Sequence, residues 1–256
     1  MTRLLLPLLL IATPAAFAQT APPAYIPTSL QAEPGLPRTP GGHPDFQTVT
    51  WATNFFPVFE ATPMAATLVV SETEAKTFVD TMVKGILSNP ALAIDPEGEI
   101  IIGDTDGLPR VRGERRSRLI VLPTDGKVPL TPEAKKIANT SSDEMDDYEQ
   151  RPSGERCLVL SGAPPYFVTV SYNRLQFIQT PDHVVIHGEN GDEARIIPFA
   201  ASHGRINAAS WYGDSIARWE GDTLVVETIR QRQGEAVRGL FQIFLVNADA
   251  KVIERF

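Results

Sequence analysis

Hydrophobic positions follow two different periods along the chain. After Ser71, the residues Phe78, Val79, Met82, Val83, Ile86 and Leu87 recur every three to four positions, the spacing that lines one face of an α-helix. Ser71 and Glu74 form a capping box ahead of that face, and Asn89-Pro90 supplies a stop. A strand over 67–70 precedes the helix. A second, shorter helix is announced by Thr131 as N-cap and Pro132 in the first helical position, where the missing N–H costs nothing.

From Cys157 onward the pattern changes to short apolar or alternating runs, at 157–160, 167–170, 175–178, 184–186, 194–197, 215–219, 223–227, 240–246 and 251–256. Their spacing suits antiparallel meanders. Asn190-Gly191 is a type I′ hairpin signal and Glu220-Gly221 a second turn, while 247–250 forms a short loop returning 240–246 toward 251–256. There is no βαβ alternation and no internal repeat. These patterns predict a mainly β fold, an antiparallel meander barrel or curved sandwich of lipocalin-like type, with two short peripheral helices. The last run carries no turn or cap after it, so the expectation is either an open barrel, in which this strand or a missing neighbour leaves an exposed edge, or a shortened chain.

The N-terminus changes the picture of location. Arg3, the apolar run 4–11 broken only by Pro7, and Ala16-Phe17-Ala18 have the layout of a signal peptide over 1–18, cleaved near Ala18. The run is far shorter than the roughly 20 residues a membrane-spanning helix needs, and no Cys follows it for a lipid anchor. The expected protein is therefore periplasmic or secreted, and not membrane-spanning. Residues 19–63 read as a Pro/Gly-rich extended arm, and 64–256 as a single β-rich domain. Within the arm, Gly42-His43-Pro44-Asp45-Phe46 and the aromatic residues Trp51, Phe55, Phe56 and Phe59 are expected to dock onto the body.

Charge excludes one class of partner. The chain carries 23 Lys and Arg against 31 Asp and Glu, and loss of Arg3 with the leader deepens the excess of acid. Nucleic acid demands a basic face, so it is not an expected partner. Cys157 is alone, rules out an internal disulfide, and reads as a small buried hydrophobe beside Leu158 and Leu160.

Candidate chemistry concentrates between His203 and Glu227. With Glu220-Gly221 as the turn, alternation puts Ala217, Trp219, Leu224 and Val226 on one face of a hairpin. Asp214, Ile216, Arg218, Thr223, Val225 and Glu227 take the other, with Asp214 directly across from Glu227 and Arg218 further along. Asp214, Glu227, Arg218 and His203 are the candidate catalytic residues, able to do acid/base work, and equally able to form an ordinary ion pair on a solvated face. Trp211, Tyr212 and Trp219 are the candidate ligand contacts.

No cofactor is expected: G-x-G-x-x-G, P-loop and haem-attachment motifs are missing. Nor is a metal. His183 and His187 are four apart, about 13 Å in a strand, too far for one ion. Asp104-Thr105-Asp106-Gly107 begins like a calcium loop, but Leu108 stands at the next ligand position, leaving a tight turn as the reading. The basic run Arg110, Arg112, Arg115, Arg116 and Arg118 suits an anion site or a solvated loop facing water and the acidic run Asp143, Glu144, Asp146 and Asp147; the solvated loop is the expected one.

The run from Ser210 to Thr228, reading SWYGDSIARWEGDTLVVET, resembles the signature of a bacterial exported family that has no assigned activity. The stretch from Gln179 to Ile186 and Arg195-Ile196-Ile197-Pro198 are also similar to its pattern. Gly42 to Trp51 resembles its N-terminal motif, with Phe46 and Thr48 as departures. The resemblance implies an exported β protein and no mechanism. Gly213-Asp214-Ser215-Ile216 is similar to the GDSL esterase motif, but no His follows His203, so the chain order of that family's triad is missing. The expected function is binding of a small, largely apolar or aromatic molecule in a barrel mouth. The alternatives are a cofactor-independent acid/base enzyme (isomerase, hydratase or lyase) and a cell-envelope interaction module presenting its aromatic arm.

Overall fold

The protein is described by a computed structural model covering residues 37–52, 58–88, 108–138, 147–148, 156–159, 163–166, 174–189, 193–204, 208–232, 235–238, 243–246 and 248–256. The elements are β1 (Trp51–Ala52), β2 (Val69–Val70), α1 (Glu72–Ser88), β3 (Arg110–Val111), β4 (Glu114–Arg116), α2 (Pro132–Ala138), β5 (Arg174–Gln179), β6 (His183–Gly188), β7 (Glu193–Pro198), β8 (Asp214–Glu220), β9 (Thr223–Ile229), β10 (Glu235–Arg238), β11 (Ile243–Val246) and β12 (Val252–Arg255). The fold is mainly β, built of antiparallel sheets with two helices.

Two sheets make the principal core. One has strand order β1-β5-β6-β7 and the other β12-β9-β8. Alternation buries Leu175 and Phe177 of β5, Val184 and Ile186 of β6, and Ile197 of β7 against Ala217, Leu224 and Val226 of the second sheet. Each large side chain buried there contributes about 1.5–3 kcal/mol. A parallel bridge between Phe199 and Ala217 joins the end of β7 to β8. Inside this apolar layer lies one ion pair: Arg195 forks onto Glu254, Nη1–Oε1 at 3.0 Å and Nη2–Oε2 at 2.7 Å. Tyr166 N–H also donates to Glu254 Oε1 at 2.7 Å.

The second core is helical. Ala75, Phe78 and Val79 of α1 pack with Ala65 and Leu108, and Met82 and Val83 flank them. The side chains of Ile86 and Leu87 lie outside the described residues. The capping box forms as its residue types dictate: Ser71 N–H donates to Glu74 Oε2 at 2.8 Å and Glu74 N–H to Ser71 Oγ at 3.2 Å. At α2, Ala134 N–H donates to Thr131 Oγ1 at 3.2 Å.

Residues 37–52 dock on the main body. Phe46 packs edge-on against Phe177 at 5.3 Å, its N–H donates to Gln179 Oε1 at 2.7 Å, and Trp51 pairs with Leu175. Among the described residues no sheet closes on itself, and β12 pairs with β9 alone, an edge strand. No helix among them is long and apolar enough to cross a membrane.

Several expectations change. The strand expected at 240–246 does not return to the last run: β11 pairs with β10, while β12 crosses to β9. Cys157 is exposed rather than buried, since it sits in a turn, at φ 55°, and not in the expected strand. The basic run is not solvated throughout. Arg110 stays exposed, but Arg115 and Arg116 of β4 and Arg118 just beyond it are buried, where their guanidinium groups find local acceptors. Arg115 meets Glu72 and the Leu108 carbonyl, Arg116 meets Glu114, and Arg118 meets the carbonyls of Ala65, Ala66, Ile120 and Thr124. The leader, Phe55 and Phe56, the Asp104 to Gly107 turn, the run 167–170, Leu160, Asn190-Gly191, and Asp143, Glu144 and Asp146 lie outside the described residues.

Candidate functional site

The β8–β9 hairpin positions the site. Its turn is Gly221-Asp222, with Glu220 paired to Thr223 and Gly221 at φ 62°, the left-handed conformation that glycine adopts without strain. The turn is one residue later than the expected Glu220-Gly221, so the register moves by two. A shift of two leaves every side chain on its expected face. It does separate the carboxylates: Asp214 pairs with Ile229 and Glu227 with Ile216, so the two are diagonal neighbours rather than directly opposed.

His203, from the segment after β7, lies between them. Its Nδ1 is 3.4 Å from Asp214 Oδ2 and its Nε2 is 3.4 Å from Glu227 Oε1. Only the Nε2 contact has hydrogen-bond geometry; Nδ1 is buried with no hydrogen-bond partner among the described residues. Each carboxylate has a cation behind it. Arg230 Nη1 is 2.6 Å from Asp214 Oδ2 and donates to the Gly204 carbonyl at 3.2 Å, and Lys251 Nζ is 3.1 Å from Glu227 Oε1. Burial works against ionisation of Glu227, but the hydrogen bonds and charges of Lys251 and His203 outweigh it and hold its carboxyl below the usual range. Glu227 and Asp214 retain 19% and 30% side-chain exposure against 12% for His203, so a solute can reach the carboxylates while the imidazole is screened.

Arg230 and Lys251 are the residues that sequence reasoning missed. Arg230 has φ 56°, a left-handed conformation that is uncommon for a residue with a side chain. That conformation ends β9 and turns the guanidinium onto the Asp214 face. Backbone bonds on both sides hold it: Ser210 N–H donates to the Arg230 carbonyl at 3.2 Å and Arg232 N–H to the Ser210 carbonyl at 2.8 Å. Lys251 reaches Glu227 because β12 pairs with β9. The alternation of Lys251, Ile253 and Arg255 was a usable signal, but only once that long-range pairing is known.

Arg218 does not join this group. It occupies the expected face at the far end of β8, where it forks onto Glu220, Nε at 3.0 Å and Nη2 at 2.7 Å. Arg255 meets the other oxygen of Glu220 at 2.8 Å. The expected aromatic contacts also fail to converge, since β8 is seven residues, about 20 Å, long. Near its start, Trp211 carries the Arg232 guanidinium at 4.3 Å from its ring centre. Beside it, burial and then the Glu193 charge push the Tyr212 hydroxyl up to about 12. At the far end Trp219 faces the core, stacked on His43 at 4.5 Å and 4° on one side and near Phe199 at 6.3 Å.

Ser215 lies on the core face, where its Oγ shares a 2.8 Å hydrogen bond with Thr228 Oγ1, while His203 stands over the opposite face. The hairpin thus keeps the hydroxyl and the imidazole apart. His183 and His187 lie on one strand, β6. Among the described residues no group of three or more His, Cys, Asp or Glu is placed to hold a metal ion. Comparison with protein-family models, with curated proteins and with solved structures finds no match.

Proposed function

We propose that this protein transfers protons on a small organic molecule without a cofactor, with His203 and Glu227 as the working pair. The observation that carries the reading is the placement of one imidazole between two cation-backed carboxylates on a partly open sheet face. Asp214, held by Arg230, sets a negative charge beside Nδ1. Glu227 is ionised and partly exposed, so it can accept a proton from a substrate; its lowered carboxyl makes it a weak base, and an imidazole, intrinsically the stronger base, takes up or returns that proton. Such a positioned relay accelerates proton transfer by about 10²–10⁴-fold. Isomerase, hydratase or lyase chemistry would use it. Arg218 has no part in this scheme.

The signal-peptide pattern of residues 1–18 supports action outside the cytoplasm, and the resemblance of Ser210 to Thr228 supports membership of the exported family with that signature. We read the two facing sheets as a curved, lipocalin-like sandwich whose small organic guest enters from one end. The Trp219 cluster favours a second reading, in which an aromatic or apolar guest is simply bound.

The test begins with mass spectrometry of small molecules that co-purify with the protein from its native host. The recovered compound is then incubated in D₂O with wild type, Glu227→Gln and His203→Gln. Enzyme-dependent deuterium uptake by wild type, reduced at least 10²-fold in either variant, is expected. Wild type that binds the compound and exchanges no hydrogen would refute the catalytic reading in favour of binding.

A further inference from the structure

The tip of the β8–β9 hairpin makes two side-chain contacts that one short loop supplies from far away in the chain. Residues 37–45 fold back on themselves: Arg38 bridges to Pro44, Asp45 N–H donates to the Pro37 carbonyl at 2.9 Å, and Thr39 N–H to the His43 carbonyl at 2.9 Å. Gly42, at φ 82°, makes the bend. Two side chains reach from this loop to the body. Arg38 forks onto Asp222 at 2.6 and 2.8 Å, and the His43 ring lies flat on Trp219 at 4.5 Å and 4°.

The loop has its own anchor, so these two prongs can release without unfolding the arm. Gln179 Nε2 donates to the Pro44 carbonyl at 3.0 Å, and Phe46 packs into the core cluster. Arg38 and Asp222 are 40% and 31% exposed, so water and a competing cation can reach the fork. A side chain built at Gly42 would meet nothing within 4 Å, so the bend of the loop stands free.

We propose that Trp219 and Asp222 form a binding site for a small molecule joining a flat aromatic ring to a forked cation, and that residues 38–43 are its resident, competing occupant. The ring would replace His43 on the Trp219 face, and the cation would replace the Arg38 guanidinium on the carboxylate. Hydrogen bonding from Arg38 holds the Asp222 carboxyl below its usual range against the opposing effect of burial, with the charges of Arg38, Arg112 and His43 adding to it. The site lies at the far end of the hairpin from His203, about 20 Å along β8, and does not depend on the acid/base reading.

Benzamidine, a ring bearing a planar amidinium, is the probe. Its affinity is measured by isothermal titration calorimetry on the full-length protein, on Arg38→Ala/His43→Ala, and on that double variant with Asp222→Asn added. A resident occupant lowers apparent affinity by the fraction of molecules in which it has let go. The double variant should therefore bind at least about tenfold more tightly than wild type, and Asp222→Asn should abolish the gain. Equal affinity in wild type and double variant, or a gain that survives Asp222→Asn, would overturn the proposal. A fold-independent arm uses wild type alone: saturating benzamidine should move the His43 ring and Trp219 indole N–H resonances together. His43 resonances unmoved at saturation would also overturn it.

Discussion

The Arg195–Glu254 pair offers a sharp test of how the two sheets are held together. Both side chains are almost wholly buried, at 3% and 7% exposure, inside the apolar layer between the sheets. Glu254→Leu removes both acceptors of the Arg195 fork and the acceptor of the Tyr166 N–H. Arg195 then keeps Thr228 Oγ1, at a long 3.5 Å, and its Nε already lacks an acceptor among the described residues. An uncompensated buried guanidinium of this kind costs about 3–5 kcal/mol. For a chain of this size each kcal/mol lowers the midpoint by roughly 2–4 °C, so a fall of about 6–20 °C is expected. The double variant Arg195→Met/Glu254→Leu removes the charge as well as its partner, and apolar replacement of a buried pair is often neutral or stabilising. It should recover most of the loss. Thermal and urea unfolding followed by circular dichroism reads both effects. A single variant as stable as wild type, or a double variant no better than the single, would refute the assignment of the pair to the core.

Four further outcomes are expected. Gly213 has φ 70°, and a Cβ there would lie 2.6 Å from the Ile229 carbonyl oxygen, so Gly213→Ala should cost about 1–3 kcal/mol, read as a lower urea midpoint. Gly221, at φ 62° but in open space, should lose only the conformational cost of about 1–2 kcal/mol on replacement by Val. The lowered Glu227 carboxyl contributes stability above the unfolded-state carboxylate range and loses it as pH falls through the folded value. Glu227→Gln should therefore flatten the acid limb of stability against pH, and an unchanged limb would contradict the Lys251 and His203 contacts. Tyr212, with its hydroxyl pushed up to about 12, should ionise well above an ordinary tyrosine in an ultraviolet titration, and stability should fall between pH 10 and that value because the native state then binds the extra proton. The comparison protein is Tyr212→Phe.

Local rules written in the chain determined the capped starts of α1 and α2, the strands β5 to β9, the glycine turn at 221 and the division of hairpin residues between two faces. Each depends on interactions within a few residues: a hydroxyl and carboxylate three apart, an alternation of period two, a residue that tolerates positive φ. That is why a turn misplaced by one residue still left Asp214, Glu227 and Trp219 on their proper faces. Tertiary structure alone decided which charges meet. Arg218 lies on the right face but seven residues of strand hold it at the wrong end, so it pairs with Glu220. Lys251 reaches Glu227 because β12 joins β9, a pairing between distant segments that no local pattern encodes. Arg230 turns onto Asp214 through a single left-handed residue whose conformation its own side chain does not favour and its surroundings impose. Burial of Arg115, Arg116 and Arg118 followed the same logic: a basic run reads as solvated until the start of α1 and the surrounding loop carbonyls displace the water and supply acceptors. Burial and long-range pairing are properties of the assembled chain, because they depend on what surrounds a residue rather than on what it is.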